Sequence, residues 1–323
     1  MFIGHFGVAL AAEETARRVS RAMRRGRTVV LAGLIVAAAV SRGAEVPSDA
    51  SYIAAVEKVR RQRVERLTKP DGWLSLIGLH FLQRGENSVG RDPGNTIVLA
   101  AGPAHLGTVV LGEDGRATIT LNPAADARVD GRQVLAAKLE ENTGSGATVV
   151  TAGTMSLFLI ERGGRKALRV KDSEAERRVH FQGLDYFPID PAWRIEARWV
   201  PFARPRQISI TNILGQEAPA LVPGKAVFEK EGRTMELLPL IEGEDEPLFF
   251  VFADLTSGKT TYAAARFVYA EAPENGRLVL DFNEAVNPPC AFTPFATCPL
   301  PPKENRLPIA VTAGEKKYRG EHE

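Results

Sequence analysis

The sequence predicts a mainly β protein: an antiparallel β-sandwich followed by a second antiparallel β lobe, with one short N-terminal helix. Three observations predict it. After Pro70, helical periodicity nearly vanishes. Short apolar runs of strand length recur instead, separated by turns such as DPGN, EDGR, VDGR and RGGR. The runs are interrupted over residues 171–191, by the charge cluster DSEAERR and then by YFPIDP. That interruption sets the boundary between the lobes.

The N-terminal end comes first. Arg24, Arg25 and Arg27 precede the uncharged run TVVLAGLIVAAAV, residues 28–40. A basic flank before a short apolar stretch reads as an export signal, residues 1–44. The run falls short of the about 20 residues a membrane span needs. Cleavage is expected after Ala44 or nearer Ala39, and Met23 reads as the true start. An uncleaved anchor helix is the alternative. The expected compartment is periplasmic or extracellular, with membrane contact only through the signal.

The leader also decides the charge argument. The whole chain carries 41 Lys and Arg against 39 Asp and Glu, a formal net charge of +2. Seven of those arginines and two glutamates lie in residues 1–44. The remainder is weakly acidic, which gives no overall attraction to nucleic acid or anionic lipid.

Residues 45–70 are expected to hold the helix. Ser48 or Ser51 can cap it, Ile53, Val56, Val64 and Leu67 approximate an apolar face, and Pro70 stops it. Residues 71–175 read as the sandwich, with strands near 74–82, 96–99, 108–111, 117–121, 154–161 and 165–170. Residues 185–318 read as the second lobe, with strands near 193–200, 207–210, 225–229, 234–240, 248–252, 262–269 and 278–282. Phe249, Val251 and Phe267 are expected in its core, with Arg266 on the face of Ala264 and Val268.

The run DFNEAVNPPCAFTPFATCPLPPKENRLPIAVTAGEKKY, residues 281–318, is unlike the rest. It holds both cysteines and seven prolines, a composition that neither helix nor strand needs. With WLSLIGLHFL, ENSVGRDPGNTIVL and GPAHLGTVVL upstream, it resembles the family called domain of unknown function 1684, over residues 72–318. The resemblance implies no established activity. The first half also resembles forkhead-associated domains, which are β-sandwiches that bind phosphothreonine. Gly90 and Arg91 match their Gly-Arg corner, and His105 matches the His of their Ser-x-x-His element. Gly102 stands where the phosphate-holding Ser would be. The resemblance therefore implies the sandwich, with Arg91 and His105 expected to stabilise a loop corner.

Two cysteines in an exported chain suggest one disulfide, Cys290–Cys298. It would stabilise the loop by ~2–3 kcal/mol. Free buried thiols and a reactive or ligating pair are the alternatives. The five histidines are scattered, and no metal site or cofactor is expected. Residues 253–260, ADLTSGKT, imitate a relaxed P-loop. Residues 261–270, TYAAARFVYA, read as the return strand of a hairpin, so TSG is the turn itself. No GxSxG, HExxH, CxxC or EF-hand loop is present.

The candidate site is the polar set around the Pro-rich segment: Arg266, Asp281, Asn283, Asn287, Glu304, Asn305 and Arg306. Arg266 or Arg306 would clamp an anion through its planar fork. Asx turns and local ion pairs are the competing role for the same residues. Phe292 and Phe295 are either loop anchors or stacking walls. The expected function is a non-catalytic binding protein for a small polar or anionic ligand or an envelope protein partner. A hydrolase with Asp281 or Glu304 as general base is the alternative, and a structural envelope module is the third reading.

Overall fold

The computed structural model describes residues 49–141, 146–241 and 246–320. The expected export leader lies outside the described residues. Helix α1 (Asp49–Thr68) carries Asp49 in its first turn, where a carboxylate complements the helix dipole. Ser51 lies within the helix rather than at its cap, and Ser48 is outside the described residues. Only Tyr52, Val56 and Leu67 are buried. Ile53 and Val64 are half-buried, so the apolar stripe is narrow. Among the described residues no helix is long and apolar enough to cross a membrane.

Strands β1 (Leu76–Phe81), β2 (Gly85–Gly90), β3 (Ile97–Val98), β4 (Gly107–Leu111), β5 (Ala117–Leu121), β6 (Arg128–Val129), β7 (Ala136–Leu139), β8 (Val150–Ala152), β9 (Met155–Arg162) and β10 (Arg165–Asp172) form two five-stranded sheets. One runs β1-β10-β9-β8-β6, the other β3-β2-β4-β5-β7. The pairs are antiparallel except the short parallel β2–β3 pair. Alternation does the folding work: in β5, Ala117, Ile119 and Leu121 are buried while Thr118 and Thr120 are exposed. Val89, Val109 and Ile119 from one sheet meet Leu157, Leu159, Leu168 and Val170 from the other in one core. Full burial of each large side chain stabilises by about 1.5–3 kcal/mol.

This is the two-sheet sandwich that the forkhead-associated resemblance implies. Its Gly-Arg corner is held by backbone rather than by the expected side chains. The Arg91 amide donates to Pro103 O at 2.9 Å and the Asp92 amide to Ala104 O at 3.0 Å. Arg91 and His105 themselves are exposed.

After the short helix α2 (Glu176–Val179) come β11 (Arg194–Thr211), β12 (Glu217–Lys230), β13 (Arg233–Leu237), β14 (Leu248–Phe252), β15 (Arg266–Ala270) and β16 (Arg277–Asp281). A four-stranded sheet, β13-β12-β11-β16, packs on the pair β14-β15. Phe250, Phe252 and Val268 of the pair face Trp193, Phe228 and Leu278. The opposite face of the pair, Phe249, Val251 and Phe267, packs with Cys290 and Cys298 of the Pro-rich segment. The pair is thus a middle layer, and the segment is its outer cover.

Two expected strands near 193–200 and 207–210 are one strand, β11. Its register shifts between Pro201 and Arg206, which lets prolines 201 and 205 sit at a bulge, where a missing amide is tolerated. The expected strand at 262–269 begins only at Arg266, because a turn occupies the preceding residues. In that turn Asp254 Oδ1 accepts from the Thr256 amide and hydroxyl at 2.7 and 2.5 Å. The P-loop-like residues are therefore a side-chain-braced turn that leads into β15.

Candidate functional site

The structure does not bring the seven expected residues together at one place. Arg266 is 1% exposed. It pairs with Asp254 at 2.7 Å and donates to the main-chain oxygens of Val311 and Ala313. Its charge is spent on holding the chain's last stretch against β15. Asn305, fully buried, accepts from the Leu238 amide at 2.7 Å and donates to Leu238 O and Val251 O at 2.9 and 2.8 Å. It staples β13 to β14. Asp281 accepts the Tyr52 hydroxyl at both oxygens, 2.9 and 2.8 Å, and the Asn283 amide at 3.0 Å. Asn283 reaches the main chain of Asp190 in both directions, at 3.0 and 2.8 Å. Asp281 and Asn283 thereby dock α1.

Arg306 is exposed. Glu304 lines a cleft of about 130 Å³ with Phe202, Arg206, Lys225 and Glu236. An open cleft of about 410 Å³ lies elsewhere, between Glu196, Arg198, Glu229 and Arg277. Phe292 is fully buried against Tyr318, with ring centroids 5.0 Å apart, and is a loop anchor. Phe295 is half-buried, with the Arg177 guanidinium 5.8 Å from its ring. Among the described residues no group of three or more His, Cys, Asp or Glu is placed to hold a metal ion.

The expected disulfide is not formed. Cys290 and Cys298 are buried free thiols, and the Cys290 amide donates to Cys298 Sγ at 3.1 Å. Other bonds brace the loop. The Ile213 amide donates to Cys298 O at 2.9 Å and the Leu300 amide to Thr211 O at 2.8 Å, which fastens the tip of the β11–β12 hairpin. Tyr262 donates to Cys290 O at 3.1 Å. The hydrogen bond from Cys298 lowers the Cys290 pKa, while burial pushes the Cys298 thiol up.

Asn287 is the expected residue that leads to a buried polar cluster with unpaired atoms. It is fully buried. Its amide donates to Glu315 Oε2 at 2.7 Å and its Nδ2 to Lys316 O at 2.7 Å. Glu315, also fully buried, takes Arg63 Nε of α1 at 2.9 Å, and Arg63 reaches on to Asn287 O at 2.8 Å. Gly314 makes this approach possible. Its φ is +78°, and a Cβ there would lie 2.5 Å from Ala285 O. Tyr186 pairs with Glu315 as an isolated bridge. Arg60, one turn before Arg63, lays its guanidinium 4.3 Å from the Tyr186 ring and donates to Phe187 O at 3.2 Å.

Within this cluster three buried side-chain atoms have no hydrogen-bond partner among the described residues: Arg60 Nε, Tyr186 OH and Asn287 Oδ1. Burial first, and then the Glu315 carboxylate, raises the Tyr186 pKa. Burial lowers that of Arg60. Sequence reasoning missed Arg60, Arg63 and Tyr186. The available signal was arginine at i and i+3 on a helix with a narrow apolar stripe, a spacing that puts both on one face.

Residues 179–316 match the family described as "Protein of unknown function (DUF1684)". An uncharacterised protein of Haloarcula marismortui, solved by solution NMR, is 33% identical, with 43% of this chain and 78% of that one covered and a TM-score of 0.37. The chain belongs to the DUF1684 family. The family match begins after the sandwich, so the resemblance expected from residue 72 onward is carried by the second lobe. A crystal structure of Rad53 residues 1–466 in complex with AMP-PNP is 11% identical over 67% of this chain and 50% of that one, with a TM-score of 0.14. Comparison with the curated proteins finds no match. The DUF1684 match contains Tyr186, Asn287, both cysteines and Glu315, whereas Arg60 and Arg63 come from α1, outside it.

Proposed function

We propose that this protein is a non-catalytic binding protein whose ligand seat lies where α1 closes over the Pro-rich segment. Arg63 and Glu315 frame the seat, and Arg60, Tyr186 and Asn287 line it. The observation that carries this reading is the set of three buried polar atoms left without partners among the described residues. Each such atom costs about 1–3 kcal/mol if nothing satisfies it, and these three come from three different segments. Arg60 Nε is a donor, Asn287 Oδ1 an acceptor, and Tyr186 OH serves as either. A small ligand with an anionic oxygen beside a hydroxyl or N–H group satisfies all three. The oxygen accepts from Arg60 and Tyr186, and the hydroxyl or N–H donates to Asn287.

Ordered water is the competing occupant, since buried waters commonly fill such sites. Native mass spectrometry of the full chain, purified from its own cell envelope, separates the two. The expected result is extra mass that denaturation removes and that Tyr186→Phe no longer retains. A bare mass in the native protein would leave water as the occupant and defeat the proposal. Export is part of the same reading and rests on residues 24–40. It predicts a mature N-terminus near residue 40 or 45 in the envelope fraction, and an intact leader in the cytosolic fraction alone would oppose it.

A further inference from the structure

The seat under α1 leaves one buried charge, on Arg169, unexplained. Arg169 lies on β10, between Leu168 and Val170, which enter the sandwich core. Its own side chain points to the opposite face and is still only 5% exposed. It has no hydrogen bond and no ion pair with any described residue, and its Nε is buried without a partner. Its contact is the Trp73 ring, whose centroid is 5.5 Å from the guanidinium carbon. Trp73 in turn packs on the cluster that contains Cys290 and Cys298. Arg162 of β9 reaches the same part of the Pro-rich segment and donates its Nε to Thr297 Oγ1 at 3.0 Å. Two guanidinium groups thus meet the tip of the segment from the sandwich side.

A buried charge without a counter-charge is strongly unfavourable, and an arginine does not escape by losing its proton. The nearby acid on the protein is Cys298, and burial keeps that thiol neutral by pushing its pKa up. Burial first and then Arg162 disfavour the charged form of Arg169, while Cys298 works the other way. Among the described residues no carboxylate supplies the missing negative charge, which leaves room for an anion from outside the chain.

We propose that Arg169 and Arg162 form a second ligand seat, for a small oxyanion such as phosphate or sulfate, between the sandwich and the tip of the Pro-rich segment. The guanidinium fork of Arg169 offers parallel N–H donors, the geometry that suits an oxyanion. Thr297 holds Arg162 in place beside it. The near-complete burial of Arg169 limits the ligand to a free anion or the end of a chain. Inorganic phosphate tests the first source and a phosphate monoester the second.

The test is thermal unfolding of the full chain with phosphate, sulfate or a small phosphate monoester, at ionic strength held constant with chloride. Wild type is expected to gain at least ~2 °C in Tm from saturating oxyanion. Arg169→Met is expected to have a Tm no lower than that of wild type without oxyanion, and no response to it. Arg169→Lys keeps the charge and loses the fork, and is expected to need roughly tenfold more phosphate for the same shift. It carries the test if Arg169→Met does not fold. A wild-type Tm indifferent to all three anions would overturn the proposal, as would an undiminished response in the folded Arg169 variants. A response to phosphate but not to the monoester identifies the free anion as the ligand, and an equal response admits a chain end.

Discussion

Arg266 and Arg169 invite comparison. Both are strand arginines, 1% and 5% exposed, and each looks out from a β-pair toward the Pro-rich segment or its continuation. Around Arg266 the chain supplies a carboxylate at 2.7 Å and two main-chain oxygens. Around Arg169 it supplies an aromatic ring and a neutral thiol. The same contrast recurs in two tyrosines. The Tyr52 hydroxyl donates a hydrogen bond to Asp281, whereas Tyr186 OH finds no acceptor among the described residues. The difference teaches that burial of a polar group does not mark a site. Arg266 too leaves its Nε unpaired among the described residues, so what marks a site is a buried charge without its counter-charge, or a buried hydroxyl without its acceptor.

The largest effect is expected where a partner is removed. Asp254→Ala would leave Arg266 without a counter-charge, as Arg169 is, though still bonded to two main-chain oxygens, and is expected to cost about 3–5 kcal/mol in chemical denaturation. A loss below about 1 kcal/mol would break the comparison, since solvent or a neighbour would then be replacing the carboxylate. Next comes Asn305→Leu. It leaves the Leu238 amide and two carbonyls unpaired, and a loss of about 3 kcal/mol is expected. A smaller loss would mean that the staple between β13 and β14 is dispensable. Arg169→Met, measured without oxyanion, is expected to be neutral or stabilising by about 1–2 kcal/mol. A clear loss would show that Arg169 already has its counter-charge and would erase the contrast with Arg266.

The two tyrosines give the smallest and sharpest test. At pH 8, Tyr52→Phe should cost about 1 kcal/mol and Tyr186→Phe close to nothing in ligand-free protein. Equal costs would mean that both hydroxyls are satisfied. Alkaline pH adds the linkage. Burial and then the neighbouring carboxylate raise the pKa of both tyrosines. Their contribution is therefore fully present below the ordinary tyrosine value near 10 and is lost as pH rises above it. Denaturation midpoints from pH 8 to 11 should fall more steeply for wild type than for Tyr52→Phe.

The legible part of this protein was its repetition. Ala117, Ile119 and Leu121 alternate with threonines, and EDGR and RGGR turn the chain between strands, so period and turn chemistry agreed. The long strand β11 was not legible, because Pro201 and Pro205 read as breaks although a bulge absorbs them. The polar residues of the Pro-rich segment were found as a group but not sorted. An asparagine that staples two strands, such as Asn305, and one that leaves an oxygen unpaired, such as Asn287, have the same neighbours in sequence. Partner geometry alone tells them apart. Arg169 was hidden for a related reason. In RKALRV one apolar face is obvious, and nothing in the letters says that the other face is covered as well.

The docking of α1 has one more consequence, for the order in which the chain assembles. Tyr52 binds a residue 229 positions later, and Arg63 one 252 positions later. At synthesis rates of about 5–20 residues per second, the helix waits for its partners for some tens of seconds. A helix with a broad oily face would be a liability over that interval. This one carries three buried residues among twenty and closes with charges and a hydroxyl, so it can stay in water until the last stretch arrives. The first element among the described residues is thereby fixed among the last, and the seat it covers is complete only when the last stretch is in place.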